Sequence, residues 1–196
     1  MQALFDYIIS TDNRYNNIID VDGKELVVNT EVTERDFMFV NRIGKVLNIP
    51  LHLDTPVSIG DKIIVHHNVF RRWIDIRGQE QNSSSFLKEN EYFVGKDQIF
   101  AYKKNNKWEC LPEYCFVKPL YKNDEWALKT DENLLGVLTY SNTNLSSLGV
   151  SIGDTVGFTP DSEYEFEIEG EKLYRILSNH ITINYGKSKK KGYSSC

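Results

Sequence analysis

The chain has 196 residues, 40% hydrophobic and 26% charged, with 11 Tyr and 10 Phe. This is ample apolar material for packed cores, and it excludes a disordered chain. The formal net charge of -5 argues against a general nucleic-acid binder, whose domain would be basic.

No apolar run approaches bilayer-spanning length, so no transmembrane helix and no membrane partner are expected. Met1 to Ile9 has no basic start and contains Asp6, so it reads as a first strand and not as a signal peptide. Cys110, Cys115 and Cys196 are odd in number and form no Cys-x-x-Cys pair. They predict neither a disulfide framework nor zinc, and buried thiols in a reducing cytoplasm are the expectation.

Met1 to Ser10 is rich in β formers (Leu4, Phe5, Tyr7, Ile8, Ile9). Residues 10–36 then form a long polar excursion holding one apolar triplet, Leu26-Val27-Val28, after Gly23-Lys24-Glu25. Excursions of that length in compact domains are usually functional or mobile. Strand character resumes over Phe37 to Ile49, and after a loop from Pro50 to Pro56 a strand runs on to about Phe70. Arg71 to Leu87 is a second excursion, ending in Ser83-Ser84-Ser85; two short strands around Tyr92 and Phe100 follow. The polar stretch Lys103 to Lys107 reads as a junction.

Beyond the junction the same order of parts returns. Val57-Ser58-Ile59-Gly60-Asp61 is repeated without change as Val150-Ser151-Ile152-Gly153-Asp154, each time ahead of alternating apolar residues. The Gly-Asp pair makes a tight turn, because Gly tolerates positive φ and Asp bonds its own local backbone. Gly136-Val137-Leu138 matches Gly44-Lys45-Val46, Tyr174 to Ile181 matches Tyr92 to Ile99, and Tyr7 falls opposite Phe116. The first copy carries the longer excursion in both places. These patterns predict an all-β chain of two small barrels, 1–104 and 108–185, followed by a basic tail, 186–196, with Lys187, Lys189, Lys190 and Lys191 in solvent.

An opening strand, a long polar loop with an apolar triplet, a Gly-containing strand, the x-Val/Ile-Gly-Asp-x-Val/Ile turn, a variable hairpin and two closing strands together resemble the GroES co-chaperonin family. The two copies cover nearly the whole chain, which therefore resembles a tandem GroES-like protein. The resemblance implies two small GroES-like β-barrels, assembly of copies into a ring, and a GroEL-type chaperonin as partner. It implies a mobile loop over 10–36 that docks on the chaperonin cylinder through Gly23, Leu26, Val27 and Val28. Client proteins would be folded indirectly, with the ATP hydrolysed by the partner and no catalytic residue or cofactor in this chain. The family usually places the triplet directly after a Gly pair, whereas here Gly23 is single and Lys24-Glu25 intervene. The second copy has only Lys122 to Asn133 in the equivalent place, where Trp126-Ala127-Leu128 is expected to pack locally.

Other readings of these residues stay open. Leu26-Val27-Val28 also fits one strand of an ordinary hairpin. Phe70-Arg71-Arg72-Trp73 mixes aromatic and basic residues as interfaces do, which makes Arg72 and Trp73 candidates for a subunit contact. His66-His67 is expected in a strand, where neighbours face opposite sides and cannot chelate one ion, so no metal site is expected. No nucleophile-base or phosphate-binding pattern appears, so an enzyme is not expected. The Asn/Lys/Ile-heavy composition points to an AT-rich or viral source. The rival function is a structural or interaction protein, cellular or viral, that keeps the barrel without a chaperonin partner.

Overall fold

The structure is a computed structural model, and it describes residues 2–15, 18–21, 23–27, 39–122 and 130–187. Among the described residues the regular structure is nearly all antiparallel β-strand, and the chain divides into two compact units, Met1–Lys107 and Trp108–Cys196.

The first unit opens with β1 (Tyr7–Ser10), then β2 (Ile18–Val21), β3 (Lys24–Val27), β4 (Ile43–Asn48) and β5 (Lys62–Val65). It continues with β6 (Arg72–Ile74), β7 (Glu80–Asn82), β8 (Phe86–Lys88), β9 (Glu91–Val94) and β10 (Ile99–Lys104), and β11 (Lys107–Cys110) follows. The stretch 103–107 is the hairpin between β10 and β11, turning at Asn105 and Asn106 with φ of 49° and 64°. Both residues lie in the left-handed region, as the hairpin turn that suits strand twist requires. The second unit runs through β12 (Tyr114–Lys122), β13 (Thr130–Tyr140), a one-turn helix α1 (Thr143–Ser147), β14 (Asp154–Phe158), β15 (Tyr164–Ile168), β16 (Glu171–Leu177) and β17 (Ile181–Lys187).

The strand order in the first sheet is β11-β10-β5-β4-β1-β9-β8, and in the second β15-β16-β12-β13-β14-β17. Read from its far end, the second order is that of the first without β11: β17 takes the place of β10, β14 of β5, β13 of β4, β12 of β1, β16 of β9 and β15 of β8. The order along the chain matches too. Register agrees at the centre, where Ile9 pairs with Val46 and Tyr92 on its two sides, and Val117 with Leu138 and Tyr174. This sets Tyr7 opposite Cys115, one residue away from the sequence expectation of Phe116. The difference matters, since a one-residue slip turns every side chain to the other face. Among the described residues neither sheet closes on itself into a hydrogen-bonded barrel.

The repeated turn is the same in both units. Gly60 and Gly153 have φ of 93° and 91°, and their N–H groups donate to Val46 O and Leu138 O, each at 2.8 Å. The Asp61 and Asp154 carboxylates accept from Ser58 N at 2.8 Å and Ser151 N at 2.9 Å. Val57 and Val150 are buried, and each anchors its turn to the core below.

Tyr7, Ile9, Val46, Ile63, Phe70 and Tyr92 are fully buried in the first unit, with Phe70 edge-on to Tyr92 at 4.8 Å between ring centroids. In the second unit Cys115, Val117, Leu138, Val156, Tyr174 and Ile176 form the equivalent core, with Leu145 of α1 packed into it. Two expectations change here. Leu4 and Phe5 lie outside β1 and are exposed, Phe5 against the His52 ring at 5.1 Å. The strand expected to reach Phe70 stops at Val65, where the chain enters a 3-10 turn over His67–Val69. The His66 and His67 rings therefore stack, with centroids 4.3 Å apart, where a strand would have sent them to opposite faces.

Candidate functional site

Among the described residues, the first unit carries two separate two-stranded sheets that the second does not, in two places. Between β1 and β4 it adds the hairpin β2–β3, and between β5 and β8 the hairpin β6–β7. Each is a two-stranded sheet of its own, outside the main ladder. In the second unit β12 and β13 stay paired out to Lys122 and Thr130, and β14 is joined to β15 through 159–163.

The first hairpin pairs Ile18 with Val27, Ile19 with Leu26, Asp20 with Glu25 and Val21 with Lys24. Only Asp22-Gly23 separates the paired Val21 and Lys24, and Gly23 has φ of 76°. An Asp-Gly pair between alternating residues is a strong hairpin signal for that reason. Of the candidate docking residues, Gly23 is thus in the turn, and Leu26 and Val27 are in β3. Val28 lies outside the described residues, as do Trp126-Ala127-Leu128 and the lysines at 189–191. Leu26 is 57% exposed, held away from the core on a hairpin that no other strand flanks among the described residues.

The second hairpin pairs Arg72 with Asn82, Trp73 with Gln81 and Ile74 with Glu80. Its tip is ordered by Asp75, whose carboxylate accepts from Arg77 N and Gln79 N at 2.9 Å and from Gln81 Nε2 at 3.1 Å. Those bonds hold the Asp75 carboxyl below its usual range. Trp73 is 48% exposed, and Ile74 and Ile76 are exposed beside it.

Arg72 and Trp73, paired as one contact in the sequence reading, behave differently. Arg72 is engaged within its own unit: its Nη1 donates to Glu80 Oε1 at 3.0 Å, and its guanidinium carbon lies 5.3 Å from the centre of the Tyr15 ring. No family model and no curated protein matches this chain.

Sequence reasoning passed over Arg14 and Tyr15, which join the chain at 40–41 to the base of the second hairpin. Tyr15 forms an isolated antiparallel bridge with Val40, and Asn41 N donates to Arg14 O at 2.9 Å, so the chain leaves and returns through one neck. The Tyr15 hydroxyl accepts from Arg72 N at 2.8 Å. Arg14 Nε donates to Phe70 O at 3.1 Å and its Nη1 to Asn82 Oδ1 at 2.8 Å, reaching both arms of the second hairpin. Its guanidinium carbon lies 5.6 Å from the Tyr92 ring centre and 5.7 Å from that of Phe86, and burial there lowers its pKa. In the sequence both residues sit in an otherwise polar run, with nothing to separate them from solvated neighbours.

Among the described residues no group of three His, Cys, Asp or Glu is placed to hold a metal ion. Cys110 and Cys115 are buried, and burial pushes the Cys115 thiol up to about 12. Neither thiol is therefore activated as a nucleophile.

Proposed function

We propose that this chain is a tandem GroES-like co-chaperonin, which assembles with copies of itself into a ring and caps a GroEL-type chaperonin through the β2–β3 hairpin. The observation that carries this reading is the asymmetry between two units of one strand order. The frame is present in both, while among the described residues only the first carries a separate two-stranded ribbon there, with Leu26 exposed on it. Leu26 leads the contact, with Gly23 setting the turn and Val27 and Val28 completing the apolar stretch.

Physically the contact is weak and releasable. Burying a side chain such as Leu26 in an apolar groove contributes about 2 kcal/mol, which alone gives no stable complex. A ring presents several hairpins together, and linked binding events multiply. Timed release needs weak single contacts and strong joint ones. Trp73, exposed on the second hairpin, is the side chain proposed to meet a neighbouring subunit.

The test is co-sedimentation of the purified protein with a GroEL-type chaperonin in the presence and absence of ATP. Binding that requires nucleotide is expected, and Leu26→Asp should abolish it with no change in melting temperature, since Leu26 is exposed. Nucleotide-independent failure to bind would favour an interaction protein that uses the same frame without a chaperonin.

A further inference from the structure

We propose that the outer edge of β17 is a self-association edge, pairing antiparallel with β17 of a second copy of this chain about a two-fold axis at Asn184. This goes beyond the capping reading and needs no chaperonin.

β17 and β10 hold the same place in the two frames, and their surroundings differ. β10 lies between β5 and β11, and its Ile99, Phe100, Ala101 and Tyr102 are all buried. β17 pairs with β14 on one side, and among the described residues no strand lies on the other. Thr182, Ile183, Asn184 and Tyr185 are exposed in succession, Ile183 at 49% and Tyr185 at 60%. An edge strand is a template for another strand unless shortness or charge guards it. The other sheet ends are guarded: β8 has three residues, β11 carries Lys107 and Glu109, and β15 carries Glu165 and Glu167. β17 has seven residues and no charge before Lys187. Its pairing with β14 is irregular around Thr182, but β10 is irregular at the same place, around Phe100, and still seats β11.

The strand itself says what fits there. β11, which β10 accepts, alternates exposed and buried residues over Lys107–Cys110. Ile181-Thr182-Ile183-Asn184-Tyr185 has the same alternation of apolar and polar residues. Asn184 is the middle residue of β17, so antiparallel pairing about it uses the whole strand. Ile183 of each copy then faces Tyr185 of the other, an aromatic on a β-branched residue, and Lys187 faces Ile181, so no like charges meet. Ile183 and Tyr185 share a face, since a Cβ at Gly157 would lie 3.5 Å from both. The two Ile–Tyr pairs therefore form one apolar stripe. A two-fold contact closes on itself and joins two chains, which leaves ring formation to a different surface.

The experiment is oxidative cross-linking of the full chain carrying Asn184→Cys, with Cys196→Ser to remove the tail thiol; Cys110 and Cys115 are buried. Directly opposed residues of an antiparallel pair have Cα atoms about 5 Å apart, within disulfide reach. A covalent dimer should form promptly, with peptide mapping placing the bond between the two thiols at position 184. Glu167→Cys, on the edge of β15, should give none. Without oxidant, Tyr185→Asp sets a carboxylate into the stripe twice and should weaken self-association at least about tenfold in sedimentation velocity. Its melting temperature should hold, because Tyr185 is exposed. Cross-linking at position 184 no faster than at position 167, or self-association unmoved by Tyr185→Asp, overturns the proposal.

Discussion

Gly44 lies directly beneath Ile9: a Cβ at Gly44 would come within 2.7 Å of the Ile9 Cδ1, and within 3.3 Å of Ser10 O and the Phe70 ring. The second unit repeats the approach, with a Cβ at Gly136 falling 3.0 Å from both Val117 Cγ2 and Lys118 O. Ile9 and Val117 are fully buried, so neither can swing aside. Gly44→Ala and Gly136→Ala should each cost about 1–3 kcal/mol, the usual range for overpacking a core. Urea unfolding followed by circular dichroism measures this, and a change under about 0.5 kcal/mol would sink the close-approach account.

The shared turn makes a graded prediction. Asp61→Ala loses the bond to Ser58 N and should cost about 1 kcal/mol. Asp154 is more deeply buried and accepts from Asn184 Nδ2 at 3.3 Å as well as from Ser151 N, so Asp154→Ala should cost more, about 2 kcal/mol. Equal losses in the same unfolding assay would show that the second acceptor role contributes nothing.

The turn is also where the sequence was most legible. Val-Ser-Ile-Gly-Asp twice over implied a common plan, and the chemistry of Gly and Asp dictates what those residues do locally. The all-β class followed from the same alternation. The register did not: β-former content cannot fix which residue of Tyr114 to Lys118 faces the core, and matching Tyr7 to Phe116 misses by one. The end of β5 was hidden because Val65-His66-His67 reads as strand until the backbone turns. The β2–β3 hairpin was readable as one of two alternatives, since Asp-Gly favours a turn and the polar flanks favour a loop. The Arg14–Tyr15–Arg72 junction had no signal, because its partners are 56 and 57 residues apart in sequence.

His67 gives a pH dependence with a definite sign. Burial, followed by the His66, Arg42 and Arg71 charges, lowers its pKa to about 3 from an ordinary value of 6.5. Between those values the unfolded chain binds a proton that the folded chain refuses, so stability falls as pH drops through that window. The slope is at most about 1.4 kcal/mol per pH unit for one proton. His67→Gln should flatten the stability profile between about pH 6.5 and 3. Unfolding free energies across that range decide it, and an unchanged slope in the variant would acquit His67.

Asp75 acts in the same direction at lower pH. Its carboxyl is lowered by the backbone bonds from Gln79 and Arg77, so the order it gives the β6–β7 tip is present above the ordinary carboxylate range and lost on acidification. Amide exchange at Arg77 and Gln79 should quicken in acid relative to other hairpin amides, and Asp75→Asn should remove that dependence. A tip whose protection is the same at pH 3 and pH 7, after correction for intrinsic rates, contradicts this account.

The buried thiols should be silent in the native protein. Cys110 and Cys115 should resist alkylation until the second unit opens, so labelling should follow its unfolding free energy. Peptide mapping after a short iodoacetamide pulse reads this, and prompt native-state labelling of Cys115 would show that its surroundings open far more readily than the sheet.

The two frames share one strand order, and among the described residues only the first carries a separate ribbon between its opening pair of strands. At the matching place in the second, β12 and β13 stay paired out to Lys122 and Thr130. One plan has been drawn out differently at the same corner, as a free-standing ribbon in one copy and as a longer pair of frame strands in the other.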